Sequence, residues 1–392
     1  MFHWRRVFEN TIIVFCTIGV SLICSELILR TWFPSPTIPI PDDILGIRAH
    51  PGGDNDSRGY RNVEALAQAD VVVLGDSQTY GFGVDRADSW PAQLHAYTGT
   101  PVYQMAYNQW GPAQYRALFS DALALKPKTI VVALYAGNDI LDAVDRVYRS
   151  THWQLYRSPE FRYSFEVTDQ FINAQIALDN GYARGTFGHT FVRWKRAAQR
   201  SSQIYELLDS VISAIWWRSP FAETYTERET RLNTLLKANP SMGIRISGET
   251  PTILSPSYRY SVVDLSNPTT AEGWRLTKRF LSEMQRESAD AQTHFILAFI
   301  PTKEMVYLEA ARLTHASIPG FTAYEKAERD LASSVSEFCT SQKIDCVFPL
   351  GAMSSELAEN IPLYRKNNDG HPLPEGYRVI AQTVKEHLDT KK

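Results

Sequence analysis

Apolar residues in this chain fall into short β-branched runs separated by longer stretches of helical spacing. Residues 71–74, 102–105, 130–134, 295–300 and 345–349 read as strands. The first and third are short, apolar and mostly β-branched, as expected of buried parallel strands. Helices are predicted at 89–97, 112–125, 271–287, 324–341 and 375–388, with Pro112 suited to a first helical turn. This alternation predicts an α/β fold: a three-layer α/β/α sandwich on a five-stranded parallel, flavodoxin-like sheet with right-handed crossovers. The rhythm lapses from about 142 to 272, a stretch holding Trp153, Trp194, Trp216, Trp217 and many arginines. Helical periodicity from Phe191 to Trp217 makes this a mainly helical insertion.

The N-terminus departs from the pattern. Residues 7–29 are almost wholly apolar, with Glu26 the one charge after Glu9. A helix of that length reaches roughly 35 Å, enough to cross a bilayer core with some tilt. Arg5 and Arg6 precede it, so the positive-inside rule predicts a cytoplasmic N-terminus and a domain on the far side, although Arg30 makes the asymmetry slight. A cleaved signal peptide is the competing reading. The stretch is long for one, and no small-x-small cleavage site follows it. Cys16 and Cys24 lack a lipobox, since Ile23 precedes Cys24 where a small residue is expected. Glu26 can snorkel or pair with Arg30. The predicted organisation is an anchor at 1–33, an extended proline-rich spacer at 34–62, and one domain at 63–390 carrying the insertion.

Composition adds limits. A chain of 392 residues that is 44% hydrophobic can build a large core, and its formal net charge of −3 argues against nucleic acid as a partner. Cys339 and Cys346 can bridge a helix end to the next strand in an oxidising compartment, or remain two buried thiols. They have no His or Cys neighbours at zinc spacing, so no metal is expected. Gly81-Phe82-Gly83 lacks the third glycine of a dinucleotide fingerprint, and no cofactor is expected. Asn55-Asp56-Ser57 is a formal glycosylation sequon.

Three distant strings carry the chemistry. Gly75-Asp76-Ser77 follows the first predicted strand, Gly137-Asn138-Asp139 the third, and Asp369-Gly370-His371 precedes the closing helix. Ligands in open α/β sheets sit beyond the carboxyl ends of the strands, so Ser77 and Asn138 point to one crevice. His371 can activate Ser77 as a nucleophile. With Asn108-Gln109-Trp110-Gly111 after the second strand, the order of blocks resembles the SGNH/GDSL esterase superfamily over roughly 70–141 and 293–388. Gln78 stands where many members have leucine.

The resemblance implies a catalytic Ser77, His371 and Asp369, with oxyanion donors from the Ser77 N–H, the Gly111 N–H and the Asn138 amide. The family commonly spaces its acid three residues before the histidine, where this chain has Asn368. Asp369 lies two before, as in some polysaccharide acetyl-transfer relatives, and a Ser-His dyad is the alternative. Asp76 and Asp139 read as turn-fixing residues. Tyr107, Trp110 and Tyr115 can line a sugar groove or pack in the core. Three functions stay open: a membrane-anchored extracytoplasmic esterase acting on O-acyl, foremost acetyl, esters of a small molecule or polysaccharide; an O-acetyltransferase modifying an envelope or exported polysaccharide; and a non-catalytic glycan-binding or scaffold protein.

Overall fold

Two runs of the chain have no polar face, and they become the central strands. Val71–Gly75 (β1) and Thr129–Tyr135 (β3) are buried at every position, as strands covered on both faces must be. In this computed structural model, which describes residues 2–32, 38–164, 166–205, 207–209, 225–240 and 242–390, β1 and β3 pair in parallel with Val71 opposite Thr129. Val102–Ala106 (β2) flanks β1 on its other side. His294–Ile300 (β4) pairs with β3, and Asp345–Val347 (β5) forms the far edge. The order β2-β1-β3-β4-β5 is wholly parallel and has its switch point between β1 and β3. The loops that leave both strands open into that crevice.

Helices cover both faces. Trp90–Thr98 (α2) packs against Pro374–Asp389 (α9), which is flanked by Leu350–Ala358 (α8). On the other face Pro112–Ala117 (α3), Asp139–Arg149 (α4), Pro268–Asp290 (α5) and Thr322–Gln342 (α7) form the second layer. The expected helix at 112–125 is interrupted at Leu118 and resumes as Phe119–Ala124, with the Leu118 N–H still donating to the Gln114 carbonyl. Lys303–Leu313 (α6) and α8 escape the sequence reading. Lys303 and Glu304 open α6 and are both buried, which inverts the usual polar-outside pattern.

Other boundaries move too. Helix α4 continues to Arg149 and α5 begins at Pro268, so the interruption of the βα rhythm spans 150–267 rather than 142–272. Its described part includes helices Glu166–Asn180, Phe187–Ser201 and Tyr225–Ala238 and the hairpin Ile244–Ile246/Thr252–Leu254. The periodic stretch predicted to reach Trp217 lies partly outside the described residues, as do residue 33 of the predicted anchor and the start of the spacer at 34–37. From Ile40 onward the spacer reading gives way to packed structure. Ile40–Asp42 pairs with Gly46–Arg48, and the turn after it bonds to the sheet through Tyr103 Oη on Asp56 (2.7 Å) and Asn62 Nδ2 on the Gln104 carbonyl (3.0 Å). Prolines suggest extension, but the side chains of Asp42, Asp56 and Asn62 supply the bonds that fold it.

The N-terminal helix Phe2–Trp32 (α1) includes a span, Asn10–Trp32, long and apolar enough to cross a membrane, a test that signal sequences also meet. At the other end of the chain, Cys339 of α7 and Cys346 of β5 form a disulfide. The expected outcome of alkylating the unfolded, non-reduced protein is two labelled thiols, Cys16 and Cys24, rising to four after reduction. Mass spectrometry of the intact chain reads this directly, and four labels without reductant would exclude the bridge.

Candidate active site

Asp76 ends β1 by capping a one-turn helix, Ser77–Tyr80, its carboxylate accepting the Gln78 N–H at 2.9 Å. The cap fixes Ser77 at the first helical position, at the mouth of the β1/β3 crevice. Beneath it Arg61 donates to the carbonyls of Tyr80 (3.2 Å), Gly81 (2.6 Å) and Val84 (2.8 Å) and so holds the turn that follows the serine. Asn55 is part of the same support: its amide bonds the His50 carbonyl at 3.0 Å and accepts from Tyr80 Oη at 3.1 Å.

His371 arrives from a sequence distance of 294 residues and places Nε2 2.9 Å from Ser77 Oγ. Its Nδ1 lies 2.6 Å from Asp369 Oδ1, which also accepts the His371 N–H at 3.0 Å. Asn368, at the acid position common in the resembled family, turns away and donates to Asp179 Oδ1 at 2.8 Å. Phe82 packs on the imidazole with ring centroids 4.8 Å apart. Ser77, His371 and Asp369 are therefore assembled in one line.

Residues that the motifs did not flag hold that line. Arg365 donates to Asp369 Oδ2 at 3.2 Å and to the Gly83 carbonyl, tying the acid's loop to the nucleophile's. Buried Arg259 donates to the Gly137 carbonyl at 3.0 Å, and a Cβ on Gly370 would stand 2.6 Å from its Nη2. A larger residue at 370 would have to push this guanidinium aside. Thr252 bonds the carbonyls of Arg365 and Asn367 at 2.9 Å each, and the fully buried Lys303 ammonium bonds Asn367 at 2.9 Å. Buried Gln78 reaches the Gly370 carbonyl at 3.4 Å, which leucine there could not do. Arg365, Arg259 and Lys303 lie outside every block, and nothing in a lone arginine or lysine marks it in sequence.

The expected oxyanion donors are placed less simply. The Gly111 N–H donates to Gln114 Oε1 at 3.1 Å at the start of α3. Gly111 also lets α3 approach α4, since a Cβ would lie 3.1 Å from the Asp142 Cβ and 3.2 Å from the Asp139 carbonyl. The Asn138 amide donates to Asp142 Oδ2 at 2.5 Å and to Asp76. Trp110 and Tyr115 are fully buried, with Tyr115 Oη on Asp139 at 2.9 Å and Trp110 Nε1 on the Ile47 carbonyl at 2.7 Å. They pack the core.

The carboxyl groups divide into two kinds. Burial pushes Asp76 up to about 6, against the Gln78 N–H, His371, Ser77 and Asn138. Burial and the neighbouring Asp76 raise Asp139 well above the ordinary range, although it accepts the Tyr135 N–H at 2.9 Å. Burial raises Asp142 as well. Burial would also raise Asp369, but the hydrogen bonds and charge of His371, with Arg365 added, hold it well below the usual carboxylate range. No group of three or more metal-ligating side chains occurs among the described residues.

No protein-family profile and no curated protein matches the chain. Among solved structures it is similar to a lipolytic protein of the G-D-S-L family from Desulfitobacterium hafniense, at 14% identity over 81% of this chain and 97% of that one, with a TM-score of 0.33. It is similar to a GDSL-like lipase from Bacteroides thetaiotaomicron at 12% identity, over 82% and 88% of the two chains, with a TM-score of 0.34. An acetyl xylan esterase shares 7% identity over 81% and 99%, with a TM-score of 0.37. Similarity this slight carries no argument about activity, which rests on the site's own geometry.

Two outcomes test the site's electrostatics. Arg365→Met should lower kcat for ester cleavage about tenfold, as expected for loss of one charge-assisted hydrogen bond of about 1.5 kcal/mol, with KM little changed. An unchanged kcat would remove Arg365 from the support of Asp369. Asp139, whose folded pKa is raised, contributes stability that is full below 3.8, its ordinary value, and is lost as pH rises through the raised folded value. The melting temperature of wild type should therefore fall relative to Asp139→Asn between pH 4 and pH 8, and a difference independent of pH would contradict the assignment.

Proposed function

We propose that this chain is a membrane-tethered serine esterase that cleaves O-acyl, foremost acetyl, esters through Ser77, His371 and Asp369. One observation carries the reading: an unbroken line of hydrogen-bond distances from Asp369 Oδ1 through the imidazole to Ser77 Oγ, at 2.6 and 2.9 Å. Residues so far apart in sequence meet in this order where a hydroxyl must be made nucleophilic. His371 takes the Ser77 proton as Oγ attacks the carbonyl carbon, then returns it to the leaving alcohol oxygen. Asp369, kept ionised, fixes the imidazole tautomer and stabilises the imidazolium. Water attacks the acyl-serine in the second half-reaction, with His371 again as base.

The tetrahedral oxygen is served by the Ser77 N–H, at the start of a helix, and by the Asn138 amide. Asn138 donates to Asp142 before substrate arrives. Burial favours the neutral form of Asp142, which is a weaker acceptor than a developing oxyanion, so the amide exchanges partners as charge appears. Each such donor contributes about 3 kcal/mol. In this reading α1 is an uncleaved anchor with the domain on the extracytoplasmic side, following the flanking Arg5 and Arg6.

Full-length protein in detergent should hydrolyse p-nitrophenyl acetate and label at Ser77 with a fluorophosphonate. Ser77→Ala should lose both, and Asn138→Ala should lose about 10²–10³ in kcat. Hydrolysis retained by Ser77→Ala would overturn the mechanism, and a folded wild type that neither labels nor hydrolyses would favour a non-catalytic glycan-binding role. The Asp369-Gly370-His371 spacing also suits O-acetyl transfer, in which a sugar hydroxyl replaces water. Incubating an oligosaccharide with an acetyl donor separates the two, since transfer adds the acetyl mass and hydrolysis does not.

A further inference from the structure

The interruption between β3 and β4 carries a surface that the ester chemistry does not use. Helix Phe187–Ser201 bears Phe187, Phe191 and Trp194 at helical spacing, on one face. Such a stripe ordinarily packs inward. Here Phe187 is 86% exposed and Trp194 58% exposed. The polar face does the docking instead: buried His189 lies 3.4 Å from the Asn173 carbonyl, Arg193 bonds Asn173 Oδ1 at 3.2 Å, and Arg196 pairs with Asp179 at 2.7 Å.

The exposed rings form a continuous row. Phe187 and Phe191 have centroids 6.3 Å apart, Phe191 and Trp194 6.2 Å, and Trp194 and Tyr205 5.4 Å. Leu207 and Leu208, two and three positions after Tyr205, are exposed as well. The row ends on α1. Ser202 Oγ donates to the Glu26 carboxylate at 2.9 Å, as do the N–H groups of Gln203 at 2.9 Å and Ile204 at 3.0 Å, while Arg30 Nε donates at 2.8 Å. Glu26 stands six positions before Trp32, the outer end of the apolar span. At 1.5 Å per residue that is roughly 9 Å inward, the depth of about 5–10 Å to which interfacial amphipathic helices bury their apolar face. Trp and Tyr are also the rings that favour this layer.

We propose that the Phe187–Phe191–Trp194 face, with Leu207 and Leu208, sits in the headgroup–acyl boundary of the lipid bilayer beside α1. The proposal rests on the reading of α1 as a membrane anchor. The occupant is lipid because the row is continuous with a helix of spanning length and meets it at interfacial depth. A lone spanning helix sets the height of a domain but leaves its tilt free. A second contact at the same leaflet fixes the tilt, and with it the direction in which the Ser77 crevice opens.

The test uses the full chain reconstituted in lipid vesicles, with Cys16→Ser and Cys24→Ser and the disulfide retained. Spin labels go singly on Phe187→Cys, Phe191→Cys and Trp194→Cys, on Ile18→Cys within the span, and on Leu155→Cys as an exposed control on the domain. The expected result is that the three face labels, like Ile18, are relaxed by oxygen and shielded from an aqueous nickel chelate, while Leu155 shows the reverse. If the face labels behave like Leu155 while Ile18 is in lipid, the face proposal falls and the anchor stands. If Ile18 is aqueous, both fall. Face labels shielded from oxygen and chelate alike would assign the surface to a protein partner and overturn the lipid assignment. All five side chains are exposed, so each variant is expected to melt like its parent.

Discussion

The proposed chemistry depends on bringing one loop, residues 365–371, to the end of β1. Two hydrogen-bond distances in series, 2.6 and 2.9 Å, leave little room for error in where that loop lies. A displacement of about 1 Å is enough to cost a catalytic constellation much of its rate. The loop has no regular structure of its own, and its position is set by groups that reach into it. Thr252 and Lys303 hold its carbonyls from below, Arg259 lies against Gly370, and Arg365 ties Asp369 to Gly83. Fixed donors at the base and a glycine at the closest approach replace the stiffness that a strand would have supplied.

The charge arrangement is a consequence of the same geometry. Four carboxyl groups lie near Ser77 and Asn138, and their surroundings push them apart. Asp369, bonded to His371 and Arg365, is held low and stays ionised beside the imidazole. Asp76, Asp139 and Asp142 are raised by burial. This separation matters because Asp76 Oδ2 lies 3.3 Å from Ser77 Oγ and competes with His371 for the same proton. The Ser77 hydroxyl, the Gln78 N–H and the Asn138 amide all donate to this carboxylate, so Asp76 holds the turn that carries the nucleophile. Divergent environments thus assign different tasks to side chains of one chemical type.

The strands were legible because burial on both faces leaves a plain apolar run, and two of the site strings were legible because each follows such a run. The acid was harder. Asn368 and Asp369 are neighbours, and only the backbone path decides which one faces the ring. Gly111, expected as a donor to substrate, gives its N–H to Gln114 three residues later, as Asn138 gives its amide to Asp142. Helix α6 was missed because its buried Lys303 and Glu304 look like solvent positions, and their partners come from residues 252–255 and 367. Such long-range compensation leaves no local trace.

The segment that resembled nothing in sequence is tied directly to the site. Asn368, displaced from the acid position, bonds Asp179 at 2.8 Å, and Asp179 in turn pairs with Arg196 on the polar face of Phe187–Ser201. Arg259 and Thr252, from the same interruption, hold Gly370 and the carbonyls at 365 and 367. The helix with the outward aromatic row is therefore two polar contacts from the residue beside the acid. Both ends of this arrangement are fixed by short bonds to the domain, so the aromatic face and the crevice cannot be reoriented independently without breaking them. Whatever surface the aromatic face meets, it meets it with the serine already aimed.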